Sequence, residues 1–527
     1  MFYAQSLIIL SLYFFTGTEV ISWQDDFARE NQEICMQNKT HYKASVVEYK
    51  PIPIGNQTPE EVLLSNVRAY VQLIQEAGNE NVDIIVFPEY GITTIALPPQ
   101  REMAREFFVE VPKYGEIPCA NATQYTGISE ILYRLSCAAI QSKLYIVVNL
   151  GEVEYCDFNT DSSCPSDDGY HYNTNVVFDR NGAIVSRYRK FHLYFEPQFN
   201  YPTLEYSTFN TDFGVEFGLF TCFDIIFAHP AVELVVNLGI HNFAFPTAWI
   251  DELPFLTAIQ SQALWAQSNQ VNLLASGYHQ PDRGSMGSGI YSGDEGALNY
   301  VFDASSGTKL VTSLVPITSY HTTSYFKRFQ QPTQSASQDP PLEPYHMWLR
   351  EDLTNCSYKP IDPYLNHEFL CHENSFCCNI EYSLNSTSYS GHLKLLVFDG
   401  RRTVAAKRDW FEWQVCAILH CLNDTLESCT ESSPESSNHP KFNFIKIQAQ
   451  PLKVEYGDEE TSAAQPGMSL LDTKFRLIPQ SQFKILRWRD STTGNMNAEA
   501  ETTSTSEISH FQVKTVALIQ KVYGGRL

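Results

Sequence analysis

The sequence has few basic residues, and they do not gather in any one stretch. Lys and Arg number 36 against 60 Asp and Glu in 527 residues, which leaves a formal net charge of -24. Because a surface of that sign repels phosphate backbones, we expect no binding to nucleic acids. The Cys-x-x-Cys and His-Glu-x-x-His patterns are also missing, so neither a metal site nor a cofactor is predicted.

Long apolar segments are missing as well. The apolar run at residues 7–15 is too short to cross a bilayer of about 30 Å as a helix. Since small and polar residues follow it, it is typical of a signal peptide, which we predict over residues 1–22. The apolar patch at residues 511–521 is too short for a lipid-anchor signal and predicts a last β-strand instead. We therefore expect a secreted, extracellular protein without a stable membrane anchor.

Asn-x-Ser/Thr sequons agree with secretion, because such sites accept glycans in the secretory pathway. The chain has six of them, and we predict glycosylation at Asn38, Asn56, Asn121, Asn355, Asn385 and Asn423.

Cysteine is frequent, and its count of 13 is odd. In an oxidising compartment an odd count leaves at least one thiol without a partner inside the chain. Seven of the cysteines lie between Cys356 and Cys429, which predicts a region stapled by disulfides. The pairing itself stays open, because many connectivities fit the same spacing.

The order of the patterns predicts two domains. Short β-branched runs alternate with amphipathic stretches up to about residue 276, which indicates an α/β layered domain with helices near residues 60–76, 129–141, 230–238 and 256–268. A polar, Pro-rich stretch follows, and beyond it strand patterns dominate. We predict a catalytic domain over residues 23–325, a linker over residues 326–345 and a smaller β-rich domain over residues 346–527.

Three reactive side chains follow predicted strands in the first domain. Ligands bind outside the carboxyl ends of strands in open α/β sheets, so Glu89, Lys190 and Cys222 are candidate site residues. Each also has a structural interpretation: a helix-capping Glu, a solvated Lys, and a buried or disulfide-bonded Cys. Together they supply a base, a cation and a thiol, which is a complete set for acyl transfer from an amide. If Cys222 stays free, the other twelve cysteines are an even number.

Short motifs around these residues resemble the nitrilase (carbon–nitrogen hydrolase) superfamily. They are Phe-Pro-Glu at residues 87–89, Arg-Tyr-Arg-Lys at residues 187–190 and Phe-Thr-Cys-Phe-Asp at residues 220–224. The surrounding sequence, including Phe-Pro-Thr-Ala-Trp at residues 245–249, resembles the vanin and biotinidase branch over residues 43–291. That resemblance implies an αββα sandwich, followed by the smaller β-rich, disulfide-stapled domain.

The resemblance also implies roles for single residues. Cys222 would attack a linear amide and form a thioester, Glu89 would accept and return the proton, and Lys190 would stabilise the oxyanion. The backbone N–H of Phe223 would share the oxyanion role, and Glu196 would match a second glutamate that supports the lysine.

Three functions follow from the resemblance as expectations. Hydrolysis of pantetheine to pantothenate and cysteamine comes first, and hydrolysis of biotinyl amides is the alternative. A secreted homologue that binds ligands without catalysis is the third. Residues 194–201 and 246–254 are expected to govern specificity, and Trp249 is expected to pack in the core rather than line a pocket.

Overall fold

A computed structural model describes residues 40–317, 349–385, 392–404, 409–431, 441–453, 461–463, 466–472, 475–478, 483–489, 492–493, 495–502 and 511–524. The predicted signal peptide, the predicted linker, Asn38 and Cys35 lie outside these residues. Within the described part, no helix is long and apolar enough to cross a membrane.

The first domain alternates strands and helices. Its elements are β1 (His41–Glu48), α1 (Pro59–Asn79), β2 (Ile84–Val86), α2 (Arg101–Arg105), α3 (Glu130–Ser142), β3 (Tyr145–Tyr155), β4 (Gly169–Phe178), β5 (Ile184–Arg189), β6 (Thr208–Asn210), β7 (Glu216–Leu219), α4 (Glu233–Val236), β8 (Asn242–Thr247), β9 (Glu252–Leu253), α5 (Ala258–Asn269), β10 (Asn272–Gly277), β11 (Ser288–Ser292), β12 (Gly296–Val301) and β13 (Lys309–Pro316).

Local chemistry explains where the helices begin. At the start of α1 the Thr58 side chain accepts from the backbone N–H of Glu61, and the Glu61 carboxylate accepts from the backbone N–H of Thr58. Such a capping box satisfies amide groups that lack partners inside the helix. Three of the four predicted helices are confirmed to within three residues at each end. The fourth, predicted over residues 230–238, is a π-helical turn at Ala228–Val232 followed by the single turn of α4.

Two six-stranded sheets form the centre of this domain. One has the order β13-β1-β2-β3-β4-β5, and the other has the order β12-β11-β10-β8-β7-β6. Successive residues of a strand point to opposite faces. Accordingly, Ile84 and Val86 lie in the core between the sheets, while Ile85 packs in a separate core with α1 and α3. Helix α5 covers the second sheet through Trp265. The predicted αββα sandwich is confirmed.

The second domain is built from strands. They are β14 (Leu349–Arg350), β15 (Ser357–Pro360), β16 (His367–His372), β17 (Phe376–Leu384), β18 (His392–Val404), β19 (Asp409–Cys421), β20 (Lys441–Leu452), β21 (Thr461–Ala463), β22 (Gly467–Leu471), β23 (Phe483–Arg489), β24 (Met496–Thr502), β25 (Phe511–Gln512) and β26 (Thr515–Gly524). One sheet contains β15-β18-β19-β26-β21 with β22 beside β26, and the other contains β16-β17-β20-β24-β23 with β25 beside β20.

The first of these two sheets is apolar on both faces. In β19, Cys416 and Ile418 face the other sheet of the second domain, whereas Val415 and Ala417 belong to the core of the first domain. Trp413 of the same strand meets Phe255 edge to face at 5.6 Å between ring centroids. The two domains therefore share one continuous hydrophobic core.

Disulfides occur in both domains. The second domain contains Cys371–Cys377, Cys378–Cys416 and Cys421–Cys429, and the first contains Cys119–Cys137 and Cys156–Cys164. The predicted stapling of the second domain is confirmed. Cys222 and Cys356 are free and buried within the described residues.

Candidate active site

Glu89 lies three residues past the end of the buried strand β2. The chain is still held to β3 one residue past the end of β2, where the Phe87 N–H donates to the Val147 carbonyl at 2.9 Å. The side chain of Glu89 is 1% exposed, and its Oε2 accepts from the backbone N–H of Ala248 at 2.9 Å. Because the carboxylate is held by a backbone group of the second sheet, its position is set by the packing of the two sheets.

Lys190 directly follows β5 and points inward. Its Nζ donates to Glu89 Oε1 at 2.6 Å and to Glu196 Oε2 at 2.7 Å, and its side chain is 2% exposed. Burial alone would lower its pKa, but the charges of Glu196 and Glu89 outweigh burial and raise the pKa of Lys190 well above its ordinary value. The side chain is therefore a permanent buried cation.

Neutral donors complete the shell around the two carboxylates. Asn173 Nδ2 of β4 donates to Glu89 Oε1 at 2.9 Å and to Glu196 Oε1 at 2.7 Å. Glu196 also accepts from the Tyr194 backbone N–H at 2.7 Å and from the Tyr90 hydroxyl. Buried ions are tolerated when their charges are paired and their remaining hydrogen-bonding capacity is satisfied. The cluster thus holds two carboxylates around one ammonium.

Cys222 opens the 3₁₀ helix Cys222–Ile226 with a backbone φ of 46°. Positive φ is uncommon for residues other than Gly and persists only where the surroundings impose it. Here Asp224 imposes it, because its Oδ2 accepts from the Thr221 N–H at 3.0 Å and from the Tyr188 hydroxyl at 2.7 Å. Burial raises the pKa of Asp224 to about 7.

Cys222 is 6% exposed, and the charges of Glu89 and Lys190 both act on its thiol. Burial raises its pKa well above the ordinary value and the charge of Glu89 raises it further, while Lys190 lowers it by less. At neutral pH the resting side chain is therefore a thiol. The N–H of Phe223 lies in the first turn of the 3₁₀ helix, where no acceptor exists inside the helix, so it is available to an oxyanion.

A cavity opens beside Cys222. Its walls are lined by Tyr194, Cys222, Phe223, Ile226, Ala248, Trp249, Ile250, Glu252 and Leu256. Both segments predicted to govern specificity contribute to it. Trp249 packs in the core as expected, and it also lines this cavity. Its Nε1 donates to the Leu256 carbonyl at 2.8 Å, which holds the indole in the cavity wall.

The structure brings Glu89, Lys190 and Cys222 together and adds Glu196 as a direct partner of Lys190. Asn173 and Tyr90 were not singled out from the sequence. A detectable signal was the pair Asn173 and Asn175 at alternate positions of a strand otherwise rich in apolar residues, because both point to the same face. The five sequon asparagines that the structure describes are exposed, and glycosylation there stays a prediction.

Comparison with known families agrees with this geometry. The carbon–nitrogen hydrolase model matches residues 51–237, and the vanin C-terminal domain model matches residues 345–523. The first match contains the complete charged cluster and Cys222.

Curated relatives cover most of the chain. Vanin-like protein 2 of Drosophila melanogaster is 33% identical over 85% of this chain and 84% of its own length. Pantetheinase of Canis lupus familiaris is 33% identical over 72% of each chain. Biotinidase of Rattus norvegicus is 30% identical over 87% of this chain and 92% of its own length.

Among solved structures, Saccharomyces cerevisiae Nit3, a member of branch 10 of the nitrilase superfamily, matches 53% of this chain and 91% of its own at 18% identity, with a TM-score of 0.41.

The fold and the relatives define the class of protein first: a hydrolase that cleaves carbon–nitrogen bonds of amides. Within that class, the chain belongs to the vanin and biotinidase branch of the nitrilase superfamily.

Proposed function

We propose that this protein is a secreted pantetheine hydrolase in which Cys222 is the nucleophile, Glu89 the proton acceptor and donor, and Lys190 the oxyanion stabiliser. The observation that carries the proposal is the buried ammonium of Lys190, shared by Glu89 and Glu196 next to the strained turn that presents Cys222. The signal peptide, the glycosylated sequons and the domain boundaries at residues 23–325 and 346–527 are part of the same proposal.

The first step needs a base, because the resting thiol is protonated. Glu89 takes the thiol proton as Cys222 Sγ attacks the amide carbonyl, so no free thiolate accumulates beforehand. The hydrogen bond from Ala248 and the ion pair with Lys190 keep the carboxylate oriented during the transfer. This arrangement gives Glu89 the short proton path that general base catalysis requires.

The tetrahedral oxyanion accepts hydrogen bonds from two donors. An ammonium has three N–H groups, and Lys190 uses two of them on Glu89 and Glu196. The third N–H and the backbone N–H of Phe223 are available to the new oxyanion. Each such donor contributes about 2.7–4 kcal/mol to transition-state stabilisation. Because both donors are already fixed in the free enzyme, the reaction needs no reorganisation of the site.

The remaining steps return the enzyme to its starting state. Glu89 gives the proton to the leaving nitrogen, the carbon–nitrogen bond breaks, and cysteamine departs while the pantothenoyl group stays on Cys222 as a thioester. A water molecule, deprotonated by Glu89, attacks the thioester carbonyl, and the carbon–sulfur bond breaks. Pantothenate leaves, and the thiolate of Cys222 recovers its proton from Glu89.

The choice of pantetheine rests on the relatives. The pantetheinase relative supports it, and the biotinidase relative makes biotinyl amides the competing class. The walls of the cavity beside Cys222 are mostly apolar and aromatic, as is usual for small-molecule sites. Glu196 and Asn173 act as positioning residues, since their hydrogen bonds hold the side chains of Lys190 and Glu89.

A release assay on the purified full-length protein tests the proposal. Pantetheine, biocytin and a simple aliphatic amide are compared by product release, and mass spectrometry looks for an acyl adduct on Cys222 during turnover. Cys356, the other free and buried thiol, is the internal control and is expected to stay unmodified. We expect turnover of pantetheine, an adduct confined to Cys222, and no turnover by Cys222→Ala.

The alternatives predict different results. Biocytin turnover without pantetheine turnover assigns the protein to biotinyl amides. Binding of these compounds without turnover and without an adduct supports the non-catalytic homologue. Secretion from transfected cells and a glycosidase-dependent change in mobility test the predicted compartment.

A further inference from the structure

One wall of the cavity beside Cys222 carries a carboxyl group that the proposed chemistry does not use. Glu252 of β9 lines this cavity, and its neighbours in the lining are mainly aromatic and aliphatic. It is the only acidic side chain among the described residues that form this lining. Glu252 is half-buried, and placing a carboxyl group among apolar side chains without a partner in the protein is unfavourable.

The carboxyl of Glu252 has no hydrogen bond or ion pair with any residue that the structure describes. Arg402 is the nearby cation, but its guanidinium is already engaged: Nη2 donates to Glu351 Oε2 at 2.9 Å, and Nη1 contacts Cys356 Sγ at 3.2 Å. Burial raises the pKa of Glu252 to about 7, and the charge of Arg402 opposes that rise. The group is thus a hydrogen-bond acceptor whose capacity is unused.

The second domain holds this wall in place. Strand β9 pairs in parallel with β14, so Glu252 lies opposite Leu349. The Phe255 N–H donates to Glu351 Oε1 at 2.8 Å, and the Thr515 hydroxyl donates to the Pro254 carbonyl at 3.0 Å. The Asp251 N–H donates to the Gly284 carbonyl at 2.8 Å, so the backbone is bonded on both sides of Glu252 and the acceptor has a defined position relative to Cys222. A fixed acceptor in an otherwise apolar pocket is typical of a group that selects ligands.

We propose that Glu252 determines substrate preference by accepting a hydrogen bond from a donor group, a hydroxyl or an ammonium, on the substrate chain. This inference rests on the proposed amidase activity of the same site. A bound donor would satisfy the carboxyl, whereas a substrate with a methyl group at that position would leave it buried and unpaired. Sites built to bind a donor discriminate strongly against analogues that lack it.

The test compares kcat/KM for sets of linear amides that differ only at one chain position, which carries a methyl, a hydroxyl or an ammonium group. One series varies the acyl half and a second varies the amine half. Wild-type protein is expected to prefer a donor-bearing member of at least one series by about tenfold or more, the size of a hydrogen bond to a charged group. The preference is expected mainly in KM, because Glu252 does not touch the reacting atoms.

Two substitutions separate the kinds of donor. Glu252→Leu removes the acceptor and is expected to bring the ratio of donor-bearing to methyl substrate close to one. Glu252→Gln keeps one acceptor oxygen without the charge, so a preference for ammonium is lost and a preference for hydroxyl is largely kept. Glu102→Gln, an exposed position on α2, is the matched control and is expected to keep wild-type ratios. Equal melting temperatures establish that the variants are folded.

The possible failures are distinct. Equal turnover of all members by the wild type, or a preference that survives Glu252→Leu, overturns the inference about Glu252 and leaves the amidase proposal standing. Absence of turnover for every member of both series contradicts the proposed amidase activity itself.

Discussion

Replacing Lys190 by Met separates its electrostatic role in folding from its role in the reaction. The cluster of Glu89, Glu196 and Lys190 contains two carboxylates and one ammonium, all buried. Lys190→Met keeps most of the side-chain volume and leaves the two carboxylates without their shared cation. Breaking a buried ion pair by removing one partner costs about 3–5 kcal/mol. The melting temperature is therefore expected to fall by roughly 10 °C.

The catalytic effect of the same substitution has a different origin. Loss of one oxyanion donor lowers kcat by about 10²–10³-fold. The double variant Lys190→Met/Glu196→Gln restores the cluster to one net negative charge, but its single amide oxygen accepts from only one of Asn173 and the Tyr194 N–H, which bond different oxygens of Glu196. We expect the double variant to regain part of the lost stability and none of the lost turnover.

The assay combines thermal unfolding with release of cysteamine from pantetheine, and Glu196→Gln alone completes the cycle. If the double variant recovers a tenth or more of wild-type kcat, Lys190 serves only to balance charge, and its assignment as oxyanion stabiliser is wrong. If Lys190→Met melts at the wild-type temperature, the carboxylates do not depend on the cation, and the electrostatic reasoning is wrong.

Three further perturbations have defined outcomes. Burial lowers the pKa of Lys521 to about 8 from an ordinary value of 10.5, so the unfolded chain binds more protons between these pH values and stability rises with pH there. Lys521→Met should remove that rise in stability with pH. Denaturant titrations at pH 7 should show the variant to be more stable than the wild type by about 3 kcal/mol, and a less stable variant would contradict the prediction. The rate of Cys222 modification by a small alkyl thiosulfonate should increase steadily from about pH 6 to 9, because burial keeps the resting group a thiol; a plateau near pH 6 would indicate a preformed thiolate. Tyr90→Phe removes one donor from Glu196 and should cost about 1.5–3 kcal/mol of stability with less than a tenfold loss of kcat, as measured by unfolding and turnover; a larger kinetic loss would place its hydroxyl in the chemistry.

Local patterns in the sequence predicted the α/β layers and singled out Glu89, Lys190 and Cys222 as candidates, whereas the αββα arrangement and the roles of these residues were implied by the family resemblance. Alternating faces in strands such as β2, and the amphipathic helices α1 and α3, determine which residues are buried, and so they determine the layers of the sandwich. Lys190 directly follows β5 and Glu89 lies three residues past β2, and a strand's end lies at a predictable edge of the sheet. The predicted length of helix α4 was too great, because the π-helical turn before it leaves no pattern in the sequence.

The partners of these residues could not be read from the sequence. Asn173 bonds Glu89 across 84 positions, and the backbone of Ala248 bonds the same carboxylate across 159 positions. Such contacts depend on the register of two sheets and on how closely they pack. A shift of one residue in either strand would turn the side chain away from the site.

The sequence by itself indicated the α/β layers and the acid, cation and thiol near strand ends, because chemical type and periodicity are properties of the chain. The class of the protein followed from the resemblance of its short motifs to the nitrilase superfamily. The tertiary structure decided that Lys190 joins two carboxylates, that Trp249 and Glu252 face the cavity beside Cys222, and that the second domain holds Glu252 in place. These are contacts between segments distant in the chain, and they arise only when packing selects one arrangement of the sheets.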